Sequence, residues 1–104
     1  MIMIELVFDV SPDRRDEVLT LAGRTTQATH REEGWIIYRF STDVESPNRF
    51  VLTELWEDED ALKRHFAGQA FKRFFAELPA GGSFVSSRAW EGPLTDYNPP
   101  APGP

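Results

Sequence analysis

Of all the side chains in this sequence, His65 is the one best suited to move a proton, because an imidazole with its unperturbed pKa of about 6.5 exchanges protons near neutrality. It lies in the stretch FVLTELWEDEDALKRHFAGQAFKRFF, residues 50–75. There an aromatic-ended strand runs into acidic cap residues and then into a short helix that carries the imidazole. Trp56 shares strand parity with Leu52 and Glu54, so all three point to one face, and the indole suits either a core plug or a platform for a planar ring. Tyr38, on an earlier strand, is a phenolic donor for a ligand oxygen or for a backbone carbonyl. Phe66, Phe71, Phe74 and Phe75 recur at helical spacings of three to five, the mark of a core stripe, part of which can line a flat apolar slot. His65 itself reads two ways, as an acid or base, or as a buried helix residue bonded to a strand carbonyl.

Other chemistries find less support. The second histidine, His30, falls near the end of the first helix, where a cation complements the dipole, and reads as a surface or capping residue. The acids at 57–60 precede a helix and are explained by capping and dipole effects. The chain has no cysteine, which removes disulfides, thiolate metal sites and thiol nucleophiles together. Neither histidine has a partner at metal-ligand spacing, and there is no Gly-rich phosphate loop or nucleophile elbow. The expectation is therefore no metal, flavin or nicotinamide. A net charge of −6 argues against a nucleic-acid surface. No run approaches the roughly 18 apolar residues of a membrane span. The opening MIMIELVFDV places acids within its apolar stretch and carries no basic leader, so a soluble, cytoplasmic protein is expected.

A chain of 104 residues makes one domain with one modest core. Ile2, Ile4, Leu6, Phe8 and Val10 alternate with Met3, Glu5, Val7 and Asp9, the period of a half-buried strand whose even face points at the core. Ser11-Pro12-Asp13 supplies an N-cap, a proline tolerated at the first helical position and an acid for the dipole. A first helix of about five turns follows. Val18, Leu21, Ala22, Thr25 and Ala28 or Thr29 lie on its inner stripe, and Gly34 is its stop. A second strand is predicted over Trp35–Thr42, with Trp35, Ile37 and Arg39 on one face and Ile36, Tyr38 and Phe40 on the other. Ser46-Pro47-Asn48 is a turn. A third strand spans Phe50–Trp56, and Asp58 or a neighbour caps a helix running to about Phe66. Gly68 interrupts that helix before a second short piece ends near Pro79. Ser83–Trp90 closes the sheet.

The element order is that of an α+β, ferredoxin-like β-α-β-β-α-β sandwich over residues 1–91, followed by a Pro-rich C-terminal tail over 92–104. Helices cover only one face of such a sheet. The other face would carry Met3, Val7, Trp35, Ile37, Val51 and Leu55, which is too apolar for water. A homodimer with two sheets face to face is the expected solution.

The order of these pieces resembles the antibiotic biosynthesis monooxygenase family. In that family a strand ending in Glu-x-Trp precedes a helix with a histidine and then a Phe-rich helical turn, matched here by Glu54, Trp56, His65, Phe71 and Phe74. Glu33-Gly34 followed by Ile37-Tyr38 is similar to the family's Pro-Gly-x-x-x-Tyr strand, with Glu33 in place of the proline. The resemblance implies a dimeric α+β barrel with one small-molecule pocket per subunit. It also implies a cofactor-independent monooxygenase that oxidises an aromatic quinol or polyketide-like substrate with O2. His65 and Trp56 would then be catalytic, and Tyr38, Leu52, Phe71 and Phe75 would bind substrate. The chain departs from the polyketide-oxidising branch, whose pocket asparagine and tyrosine are replaced by Leu52 and Leu62. It departs also from the haem-degrading branch, whose positions read Leu6, His65 and Phe75 and leave no haem-ligating histidine. Two other readings remain open. One is an isomerase of a small hydroxyketone or phosphorylated sugar, for which Arg39, Lys63, Arg64, Lys72, Arg73 and Arg88 are the available cations. The other is a non-catalytic dimer that binds a hydrophobic metabolite.

Overall fold

The computed structural model describes residues 1–103. Strand β1 (Ile2–Asp9) leads through a 3-10 turn (Pro12–Arg14) into helix α1 (Arg15–Thr29). Strands β2 (Trp35–Thr42) and β3 (Arg49–Trp56) follow, then two short helices, α2 (Glu59–Ala67) and α3 (Gln69–Glu77), and strand β4 (Ser83–Glu91). The strands form one antiparallel sheet in the order β2-β3-β1-β4, the ferredoxin-like arrangement expected. Residues 93–103 carry no helix or strand.

The period-2 pattern places its even positions under the helices. Phe8, Phe50, Leu52 and Trp56 are buried there, with Val18, Leu21 and Ala22 of α1 and Phe74 of α3 packed against them. Phe8 is central, since its ring stacks on Phe50 at 5.5 Å and meets Phe74 edge-on at 6.0 Å. Met3, Val7, Val51, Leu55 and Ile37 take the opposite face, where the pairings Met3↔Leu55, Val7↔Val51 and Ile37↔Leu55 set them side by side. Trp35, expected among them, is not. A register shift between Trp35 and Ile37 turns its ring to the helix side, where it packs against the core and stacks on His30 at 4.1 Å. The extra residue of a bulge inverts side-chain parity on one side of it, and strict alternation from sequence cannot anticipate that.

Two helix boundaries differ in detail from the sequence reading. Ser11 makes no side-chain cap, because its hydroxyl donates instead to the Asp13 carboxylate. Helix α1 ends at Thr29, a turn early, and its last inner residue is Thr29 rather than Ala28. The following amides of Arg31 and Glu32 bond back three residues, to Ala28 and Thr29, which tightens the chain into a turn. Gly34 completes it at φ +88, and its carbonyl accepts from Glu57 N–H at 2.8 Å. Helix α2 starts as expected, with Asp58 accepting from Ala61 N–H at 2.8 Å, and the chain breaks at Gly68.

Gly34 is the position where this turn has least freedom, because a Cβ there would run into the Ala61 Cβ and its φ suits glycine alone. Gly34→Ala is expected to lower stability by about 1–3 kcal/mol, read as a fall in Tm by thermal unfolding. An unchanged Tm would show that the turn does not constrain the fold.

Candidate functional site

Between the sheet and the pair α2 and α3 lies a cavity of about 370 Å³, within the range of small-molecule sites. The strand periodicity points Leu52 and Glu54 of β3 and Tyr38 of β2 into it, while α2 contributes His65 and Phe66, and α3 contributes Phe71 and Phe75. Phe66 and Phe75, 41 % and 42 % exposed, stand at its solvent side. Five of the six residues expected at the site therefore meet in one place. A larger and more open groove, about 650 Å³, runs between α1 and β2. Two of its lining side chains are already engaged: Arg15 donates to the Pro47 carbonyl at 2.7 Å, and His30 Nε2 meets the Tyr38 carbonyl at 3.1 Å. His30 thus pins the end of α1 to β2.

The imidazole of His65 is 2 % exposed. Its Nδ1 lies 2.7 Å from Glu32 Oε1. An ionised carboxylate only accepts, so Nδ1 carries the hydrogen and Nε2 is left facing Glu54 Oε1 at 4.0 Å. Around this ring stand Trp56 at 4.7 Å, Tyr38 at 5.4 Å and Phe71 at 5.8 Å. The alternative sequence reading, a bond from His65 to a strand carbonyl, does not occur; its partner is an acid.

Trp56, grouped with His65 as catalytic on the resemblance, is fully buried and forms no part of the cavity wall, which matches the core-plug reading of its indole. Its position on β3 is the last before the chain leaves the sheet, where the ring is closed over by Ala61 and Leu62. The indole Nε1–H donates to Glu54 Oε1 at 3.0 Å. Burial pushes the Glu54 carboxyl above its usual range; the Trp56 N–H and His65 offset part of this, and Glu32 adds to it. Burial, reinforced by the Glu54 carboxylate, also pushes the Tyr38 phenol far above its usual range, so Tyr38 keeps its phenolic hydrogen near neutrality. The buried Thr29 hydroxyl meets no partner at hydrogen-bond geometry, though it lies near enough to that phenol to counter the rise in part.

Two carboxyl groups beside the His65 ring, Glu32 and Glu54, were not among the site residues expected from the sequence. Glu54 had a visible signal, since a carboxyl at an inward strand position between Leu52 and Trp56 must be buried. Glu32 had none, because its partner is 33 positions away. Among the described residues, no group of three His, Cys, Asp or Glu side chains is placed to hold a metal ion.

The family model described as antibiotic biosynthesis monooxygenase matches residues 1–77 of the chain. YcnE of Bacillus subtilis (strain 168), named as a candidate monooxygenase, is 35% identical over 77 residues, which are 74% of this chain and 81% of YcnE. A Deinococcus radiodurans crystal structure, named as a candidate antibiotic biosynthesis monooxygenase, superposes with a TM-score of 0.82 at 22% identity, over 93% of this chain and 97% of that one. A further crystal structure named as an antibiotic biosynthesis monooxygenase gives a TM-score of 0.74 at 26% identity, over 95% and 100% of the two chains.

The buried carboxyl has a signature in stability. A raised folded pKa means that the favourable contribution of Glu54 is complete below the unfolded carboxyl pKa of about 4.3 and is lost as pH rises through the folded value. Glu54→Gln keeps an acceptor for Trp56 and never ionises. Its stability relative to wild type should increase as pH rises above the unfolded carboxyl value of about 4.3 and level off once the folded carboxyl has ionised, measured by urea unfolding. A difference independent of pH would show that Glu54 titrates normally.

Proposed function

The chain belongs to the antibiotic biosynthesis monooxygenase family, and on that premise we propose that it is a cofactor-independent monooxygenase that oxidises an aromatic quinol or polyketide-like substrate with O2. The observation that carries this reading is the orientation of His65: Nδ1 is held by Glu32, and Nε2 is turned toward a cavity walled by aromatic rings. A planar apolar substrate fits such walls, and its hydroxyl would meet the one free imidazole nitrogen. Removing that proton makes the ring electron-rich enough to reduce O2. The balance closes without another reductant. A quinol gains one oxygen and becomes a hydroxyquinone, the second oxygen leaves as water, and all four electrons come from the ring. The Tyr38 phenol is a donor placed to stabilise charge on oxygen.

The phosphorylated-sugar isomerase fits this site less well. Arg39, Lys63, Arg64, Lys72, Arg73 and Arg88 are all absent from the cavity lining, and the ionisable side chains that do line it are Glu54, His65 and Tyr38. An anion would meet a carboxyl with no cation to balance it. The proposed working form is a homodimer, because Met3, Val7, Ile37, Val51 and Leu55 present an apolar sheet face that a second copy would cover. The tail, expected over 92–104, is proposed to lie outside the domain over 92–103, Pro104 being outside the described residues.

Oxygen-electrode readings on anaerobically reduced benzoquinols and naphthoquinols should show uptake well above autoxidation, insensitive to chelator. In His65→Ala the enzymic rate should fall by about 100-fold or more. Uptake no faster than autoxidation across the panel with wild type would sink the oxygenase reading.

A further inference from the structure

Three ionisable groups face the His65 imidazole from the elements packed on it: Glu32 from the turn after α1, Glu54 from β3 and Tyr38 from β2. The two carboxyl groups are not equivalent. The Glu32 side chain is 26% exposed and grips Nδ1 at 2.7 Å, whereas that of Glu54 is 7% exposed and stands 4.0 Å from Nε2. That second distance exceeds a hydrogen bond, but it matches the span of two through one shared oxygen, each about 2.8 Å long. His65 and Glu54 both line the cavity, among Ile4, Leu52, Phe71 and Phe75. An oxygen at this point therefore belongs to a molecule whose remaining surface is apolar.

We propose that Glu32 and Glu54 divide the work around His65: Glu32 is a positioning residue that fixes the imidazole as its Nδ1–H form, and Glu54 binds substrate by sharing a single hydroxyl oxygen with Nε2. Only the identity of that hydroxyl as a quinol's rests on the oxygenase reading. The hydroxyl passes its proton to Nε2, and both electrons of the O–H bond stay on oxygen. The imidazolium then donates from Nδ1 to the Glu32 carboxylate and from Nε2 to the new oxyanion. Glu54 in its protonated form, which burial favours, donates a second bond to the same oxygen. Trp56 steadies that carboxyl through its Nε1–H, so the indole acts through Glu54. A neutral or weakly acidic hydroxyarene is the ligand class this site takes.

Two measurements test the proposal without turnover. In long-range 1H–15N spectra of labelled protein, neutral His65 should be protonated at Nδ1. His30, which bonds the Tyr38 carbonyl through Nε2, supplies the opposite tautomer as an internal reference. Glu32→Ala should move His65 toward the Nε2–H form, and with an oxidisable quinol it should lower kcat by about 10- to 100-fold at little change in KM. Titration with 1-naphthol and naphthalene, followed by chemical shifts, should show a preference of about tenfold or more for the naphthol in wild type. Glu54→Leu should weaken that preference, leaving only the bond to Nε2. A wild-type His65 in the Nε2–H form, or one whose tautomer ignores Glu32→Ala, overturns the role of Glu32. Equal wild-type affinity for the two ligands overturns the oxygen site, whether or not Glu54→Leu folds. The expected tautomer and naphthol preference, found together with no oxygen uptake above autoxidation, would support this assignment and sink the oxygenase reading alone.

Discussion

A histidine enclosed as fully as His65 must find partners for its ring nitrogens inside the protein, because a buried polar group without them costs about 1–3 kcal/mol. Much of the surrounding architecture answers that demand. The turn after α1 is tightened so that Glu32 reaches Nδ1. The same turn is anchored by the Gly34 carbonyl to the end of β3 and pressed against Ala61 at the start of α2. Strand β3 places Glu54 opposite the other nitrogen, and Trp56 steadies Glu54 from behind. The turn, β3 and α2 thus converge on one imidazole.

The strand alternation also explains how reactive and inert side chains are kept apart. Leu52, Glu54 and Trp56 share one face of β3, but only the first two look into the cavity. Trp56 lies at the end of the strand, under the start of α2, and is sealed there. One parity therefore yields a wall, an acid and its support in succession. The opposite parity, Val51 and Leu55, contributes to the uncovered sheet face and has no part in the site.

Much of this was legible in the sequence. The even positions of β1, the proline-led start of the first helical segment, the Asp58 cap and the break at Gly68 are each dictated by local chemistry, and each stands where it was read. Tyr38, Leu52, His65, Phe71 and Phe75 were grouped by the family resemblance, and strand parity and helical spacing carry them to one cavity. Trp35 was misplaced, since a bulge changes parity with no residue to announce it. The end of α1 was misjudged because His30 to Glu33 are compatible with either a helix or a tight turn, and the choice is made by contacts beyond the segment. Glu32 was passed over for the same reason. Nothing local distinguishes its charge from an ordinary solvated helix end, and only the tertiary fold carries it to an imidazole 33 positions away.

The break at Gly68 separates two short helices with different duties. Helix α2 carries His65, and α3 carries Phe71 and Phe75, which shape the space beside it. Because the hydrogen-bonded ladder is interrupted between them, a change of ring size on α3 is not transmitted along a continuous helix to the imidazole. Such a division makes the scaffold evolvable. Phe75 on one short segment shapes the solvent side of the cavity, while the imidazole is seated on its neighbour.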